Sequence, residues 1–124
     1  MEPPAIQDPR PRFEDGQLCV ISCRTCSWTS VGPGPLCPSC GDAVEPSTIE
    51  PVGSVWSATV VHIATPGRLP PYGLAYVDVD AGPRVLAHTA PERLPLGVPV
   101  RLRMGTDGDV VAESVTDSAP EVAR

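Results

Sequence analysis

Two cysteine pairs constrain this chain more than anything else in it. Cys23-Arg24-Thr25-Cys26 and Cys37-Pro38-Ser39-Cys40 hold four of its five cysteines, and ten residues lie between them. Two residues between cysteines form a knuckle turn that aims both sulfurs at one point. A second knuckle completes a tetrahedron, with sulfur roughly 2.3 Å from a zinc ion. Pro38 stiffens the second turn, and Gly41 follows the last thiol, where backbone amides must come close to sulfur. Four thiolates leave no open coordination position, so the expected metal is structural Zn2+ rather than a water-activating ion. Iron in a rubredoxin-type site is the competing metal, although Trp28 is the only aromatic residue between the knuckles. A redox dithiol would call for a neighbouring βαβ pattern, which the sequence lacks. Cys19 is the odd thiol and reads as a small side chain on the ribbon's first strand.

Little else near the knuckles could make a core. Residues 13–46 contain all five cysteines and few large apolar side chains. Such a segment cannot bury enough surface to fold alone, so metal binding must supply the difference. Seventeen Pro and eleven Gly among 124 residues disfavour helix throughout. From 47 to 116 the sequence changes to five short β-type runs. They are GSVWSATVVHI, YGLAYVDVD, GPRVLAHTA, GVPVRLRM and DVVAESV. In the fourth run Val98, Val100, Leu102 and Met104 alternate with Pro99, Arg101 and Arg103, the period of a half-buried strand. Asp80-Ala81-Gly82-Pro83 and Thr106-Asp107-Gly108-Asp109 are hairpin signals. The stretch PERLPLG between the third and fourth runs has the length of one helical turn. The expected fold is all-β, an N-terminal zinc ribbon followed by a five-stranded OB-fold barrel, with an SH3-like barrel as the alternative. Residues 1–12 are expected to be a Pro-rich flexible arm and 117–124 a flexible tail.

Charge narrows the partners. Nine basic residues, all Arg, face fifteen acidic ones, for a formal net charge of −6. An acidic surface repels phosphate backbones, which argues against nucleic acid. The opening MEPPAIQDPRPRFEDG has neither the basic nor the apolar region of a signal peptide. No run approaches the roughly 20 apolar residues of a membrane helix. A reducing cytoplasm is the expected compartment, where paired cysteines bind metal more often than they form disulfides.

Outside the knuckles, chemistry is sparse. His62 ends the first barrel run and His88 lies in the third, and the sequence pairs neither with an acid or a nucleophile. Both read as structural histidines. The loop ATPGRLPPYG after His62 is richer, with Arg68 and Leu69 expected at its exposed tip. Loops on a rigid barrel carry much of its binding. His62, Arg68, Leu69 and Tyr72 are therefore the candidates for contact with a partner or a substrate channel. Gly32-Pro33-Gly34-Pro35 is a ribbon tip rather than a phosphate cradle, since no Lys-Ser/Thr follows it.

The order of these parts carries a resemblance. FEDGQL, the two knuckles, GSVWSATVVH, a Pro-rich loop ending in Pro71-Tyr72, YGLAYVDVDAGPRVLAH and LPLGVPVRLRM follow one another. This resembles the acyl-CoA-associated OB-fold family with a rubredoxin-like zinc ribbon, catalogued as domain of unknown function 35. Ser27 stands where many members have Gly, and the Pro-rich arm stands where many have a longer helical N-terminus. The resemblance implies that Cys23, Cys26, Cys37 and Cys40 hold zinc. It also implies docking on a thiolase-like or ketosynthase-like subunit in a hetero-oligomer, beside that partner's acyl-CoA entrance, with acyl-CoA a candidate ligand at the shared interface. The expected function is an accessory scaffold subunit of a condensing or retro-condensing complex, and the chain itself is expected not to be an enzyme. Two alternatives stand beside it: a single-stranded nucleic-acid-binding ribbon and barrel, and a rubredoxin-like electron carrier.

Overall fold

A computed structural model describes residues 10–31, 35–90 and 94–115. Most of the expected arm, the tail, the Gly32–Gly34 tip and part of PERLPLG lie outside these residues. The described residues form nine strands and no helix, as the density of Pro and Gly leads one to expect.

Four strands build the ribbon. β1 (Phe13–Glu14) turns through Asp15 and Gly16, both at positive φ, into β2 (Gln17–Cys23). An Asp-Gly pair at positive φ is the two-residue hairpin connection whose twist suits antiparallel strands. β3 (Thr29–Ser30) pairs with β2 beyond β1. β4 (Val44–Ile49) covers the other side of β2, from Leu18 opposite Ile49 to Cys23 opposite Val44. β4 has Pro46 at its centre, a residue that suits an edge because it lacks an N–H for a further ladder. The strand runs across residues 46 and 47, so the chain leaves the ribbon sheet at Glu50-Pro51.

The other five strands close a barrel: β5 (Val52–Val61), β6 (Tyr72–Val79), β7 (Arg84–Thr89), β8 (Pro99–Met104) and β9 (Val110–Ser114). Their order around the barrel is β5-β6-β7-β9-β8. Every neighbouring pair is antiparallel except β7 and β9, which meet in parallel at His88 and Val111. That order is the five-stranded OB arrangement. β6 to β9 fall within the runs that the sequence marks for them, and β5 begins one residue before its run, at Val52. Closure leaves no unpaired barrel edge. The third-to-fourth connection brings Gly97 and Val98 to β5, where Val55 exchanges hydrogen bonds with both.

Alternation fills the interior with small branched side chains. Val77, Val85, Val100 and Leu102 are almost fully buried, with Ala75, Ala87 and Ala112 between them. Such residues suit the narrow interior of a five-stranded barrel, and each buried Val or Leu contributes roughly 1.5–3 kcal/mol. Arg101 and Arg103 point outward, as their period requires, and pair with Glu50 and Glu113. Met104 departs from the expected buried row. It is exposed because β8 ends there and the chain turns to β9. Two ribbon residues, Leu18 and Val20 of β2, join the barrel's apolar cluster, so β2 seats one module on the other. Within β5 the register shifts between Val55 and Ser57, which leaves Trp56 as the extra residue of a bulge.

Candidate metal centre and the faces around it

The two knuckles repeat one hydrogen-bond plan. Ser27 N–H donates to Cys23 C=O and Gly41 N–H to Cys37 C=O, each at 2.9 Å. Cys23 N–H donates to Trp28 C=O at 2.9 Å, and Cys37 N–H to Asp42 C=O at 2.7 Å. Each turn closes on a residue at positive φ, Ser27 at 66° and Gly41 at 85°. Glycine takes that conformation freely, whereas at Ser27 a Cβ must be tolerated. The first thiol of each pair is buried and the second exposed.

The four Sγ atoms lie within 4.8 Å of one another. Cys23 and Cys40 approach to 3.5 Å, and Cys26 and Cys37 to 3.6 Å. Sulfurs about 2.3 Å from a shared tetrahedral zinc would be about 3.8 Å apart. The donor set thus fits a small four-coordinate thiophilic cation. Ser39 N–H donates to Cys37 Sγ at 3.3 Å, as expected where an amide stabilises a thiolate.

Proton affinity within the cluster is divided. Burial opposes ionisation of Cys37, but the amides of Cys40 and Ser39 and the neighbouring thiols outweigh it and bring its pKa down to about 7. Cys23 is also lowered, chiefly by the amide of Cys26. Cys40 accepts from the amide of Asp42, yet Cys23, burial and the other thiols push it up to about 12. Four thiolates cannot gather without a counter-charge, and a bound dication supplies one. Cys19 lies apart on β2 with its thiol raised by burial, in keeping with a small half-buried side chain.

The loop after β5 differs from its sequence expectation. Leu69 is 84% exposed, as a tip residue should be. Arg68 instead turns back. Its guanidinium donates to Asp107 at 2.8 Å and Asp109 at 2.9 Å, and it lies 5.6 Å from the centre of the Tyr72 ring. Arg10 reaches the same turn, donating to Asp107 C=O and to Asp109 Oδ1. His88 Nε2 is 3.4 Å from Asp109, and its ring lies 5.8 Å from that of Tyr72. His88 Nδ1 is buried with no hydrogen-bond partner among the described residues. Burial first, and Arg68 second, hold the pKa of His88 below the ordinary range. The hydrogen bond from Arg68 lowers that of Asp109. His62 is exposed just past β5 and stands outside this cluster. The grouping of Arg10, Arg68, His88, Asp107 and Asp109 escaped sequence reasoning. The acids belong to a segment that reads as a hairpin turn, and only barrel closure brings them to the β5–β6 loop.

A second feature is aromatic. Trp56 is 51% exposed and Tyr76 43% exposed, with rings 6.3 Å apart, edge to face. The Arg84 guanidinium stacks 3.7 Å from the centre of the Trp56 ring and binds both carboxylate oxygens of Asp78. An open cleft of about 530 Å³ runs from Asp78 and Arg84 to Trp28 and Thr29 of the ribbon. No helix among the described residues is long and apolar enough to cross a membrane.

Comparison with known proteins bears on these features. Residues 47–105 match the family of the ChsH2 C-terminal OB-fold domain. No curated protein matches the chain at the level of sequence. A solved chain of the Ltp2-ChsH2(DUF35) aldolase is similar at 27% identity and a TM-score of 0.64, covering 80% of this chain and 85% of that one. The expectation that this chain is not an enzyme is corrected here, because the solved relative is a chain of an aldolase.

Proposed function

From a barrel whose residues 47–105 match the ChsH2 C-terminal OB-fold domain, we propose that this chain is a subunit of an aldolase-type assembly, working with a thiolase-like partner on acyl-CoA chemistry. One observation carries this: the likeness to a chain of the Ltp2-ChsH2(DUF35) aldolase spans most of both chains. The chain docks beside the partner's acyl-CoA entrance, forming a hetero-oligomer in a reducing cytoplasm. Leu69 and His62 at the end of the barrel meet the partner or line the approach to its site. Arg68 and Tyr72 stand behind them, and the link from Arg68 to Asp107 and Asp109 keeps the loop in one pose. A loop held in its binding conformation loses less entropy on association.

The metal is zinc, held by Cys23, Cys26, Cys37 and Cys40. A soft, closed, four-sulfur donor set favours it, and its task is to order the ribbon. The test is co-expression of the tagged full chain with a candidate thiolase-like protein from the same source. A stable complex that cleaves or joins acyl-CoA carbon–carbon bonds, with one zinc per chain, is expected. A partner that is soluble and fully active alone and elutes separately would refute the assembly. Red protein containing iron would favour the electron carrier instead.

A further inference from the structure

The outward face of β5, β6 and β7 carries two adjoining rows of side chains. One holds Trp56, Tyr76 and Leu86, three large side chains each between 43% and 51% exposed. Tyr76 lies opposite both Ser57 and Leu86 in the ladders, so the row crosses all three strands. The other row holds Asp78 and Arg84, opposite each other and joined at 2.6 Å. Trp56 owes its place to the β5 bulge, a device that commonly re-aims a side chain. Arg84 then fixes Trp56 from above while Asp78 fixes Arg84. Exposed tryptophan would ordinarily sample several rotamers. Here a stacked cation, itself gripped by two hydrogen bonds, holds it.

Trp, Tyr and Arg dominate the few residues that supply most of an interface's binding energy. A pre-set group of them on a solvent face is costly to leave uncovered. Charge narrows what covers it. The face's one cation, Arg84, is matched by Asp78, and the chain carries −6 overall. A nucleic-acid backbone finds no excess positive charge there, although aromatic OB surfaces can stack bases. A second copy would bring another −6 against the first. What complements the face is a protein surface with an apolar recess and a basic rim. The neighbouring cleft continues to Trp28, so the surface spans both modules, a breadth that suits a macromolecule better than a small ligand.

We infer that the Trp56–Tyr76–Leu86 face, locked by Arg84 and Asp78, is the principal docking surface for the catalytic partner, an assignment that rests on the assembly proposed above. Trp56 enters the partner's recess, and Arg84 is a positioning residue acting through the indole. The barrel interior takes no part, so substitutions here leave the fold intact.

The experiment measures binding of the full, metal-loaded chain to its co-expressed partner by titration calorimetry. Trp56→Ala is expected to weaken binding at least thirtyfold, the scale of an interface hot spot. Arg84→Met, which keeps an apolar stem but loses the fork to Asp78, should weaken it less, and Trp56→Phe should recover part of the loss. Metal content and thermal midpoint should match the unaltered chain in all three. Undiminished partner binding by Trp56→Ala overturns the docking surface and leaves the assembly standing. No complex with the unaltered chain overturns both. Binding of single-stranded oligothymidine that Trp56→Ala abolishes, or dimerisation in sedimentation that it abolishes, assigns the face to nucleic acid or to a second copy and overturns the partner assignment.

Discussion

Ribbon and barrel are both built from short antiparallel strands, yet different forces close them. The barrel has a continuous ring of ladders and a buried set running from Val55 to Ala112. Among the described residues, the buried apolar side chains of the ribbon are Leu18, Val20, Cys23 and Cys37. Two of these, Leu18 and Val20, belong to the barrel's cluster, and what remains to the ribbon alone is sulfur. One module therefore draws its order from water leaving apolar surface, whereas the other gathers four thiols able to hold a metal ion. A short β-segment that cannot make a core can still be rigid where four side chains share one bond partner.

Removing the metal is the strongest way to break that contrast. Binding of structural zinc is worth on the order of 10 kcal/mol in small ribbons. Chelation, or Cys37→Ser at a buried ligand position, should strip amide-exchange protection from β2 through β4 while β6 and β7 stay protected. Loss of protection in all strands together would mean that Leu18 and Val20 weld the modules into one cooperative unit.

The reverse experiment attacks the barrel. Leu102 is 1% exposed on the inner face of β8. Leu102→Ala should cost about 2–5 kcal/mol, since the neighbouring Val and Ala side chains cannot collapse fully into the space. Denaturant unfolding monitored by Trp56 fluorescence in a Trp28→Phe background measures the loss. Metal content at low denaturant should not change. Metal release in parallel with barrel unfolding would show the ribbon leaning on the barrel more than its own ligands suggest.

Local signals made much of this legible in advance. Cys-x-x-Cys spacing specifies a knuckle by itself, and the knuckles adopt the same hydrogen-bond plan in space. Period-two alternation marked β8, Val, Thr and Trp density marked β5, and short β-type runs between turn signals marked the others. Met104 broke its period because exposure at a strand end depends on where the chain turns, not on the side chain's place in the pattern. The Arg68 cluster was hidden for a different reason. Its carboxylates lie 39 and 41 residues from Arg68, and separations of that size become contacts only through barrel closure. Trp56 was visible as an aromatic strand residue. Its bulge was not, because register is a property of two strands.

A smaller perturbation tests whether the end of the barrel adds its own order to the core's. Arg68→Ala removes the tie between the β5–β6 loop and the β8–β9 turn. The groups are partly exposed, with Arg68 at 28% and Asp107 at 55%, so the global cost should be about 0.5–1 kcal/mol. The local effect should be larger, with faster exchange at Thr65 and Arg68, whose backbone groups bond each other. An unchanged loop would mean that its prolines alone hold it.

The smallest expected effect concerns pH. His88 faces Asp109 through Nε2, with Arg68, Asp107 and the Tyr72 ring around it. If Nε2–H points to Asp109, a second proton must go to Nδ1, which is buried without an acceptor among the described residues. Protonation also sets a new charge against Arg68. Both effects agree with a folded-state pKa below the usual value. The unfolded chain then takes up the proton first, near the ordinary histidine value of about 6.5. The contribution of His88 to stability is thus fully present above that pH and is lost as pH falls through the folded-state pKa. Asp109, also depressed, loses its contribution only at more acidic pH. Denaturant midpoints should fall as the solution is acidified below neutrality, and His88→Gln, which keeps a donor for Asp109, should flatten that slope. Metal content must be followed in the same samples, because thiolates also compete for protons. If barrel and ribbon answer acid through separate groups, His88→Gln will change the barrel's pH slope and leave the pH of metal release where it was; if both curves move together, the barrel end and the metal centre are coupled through β2.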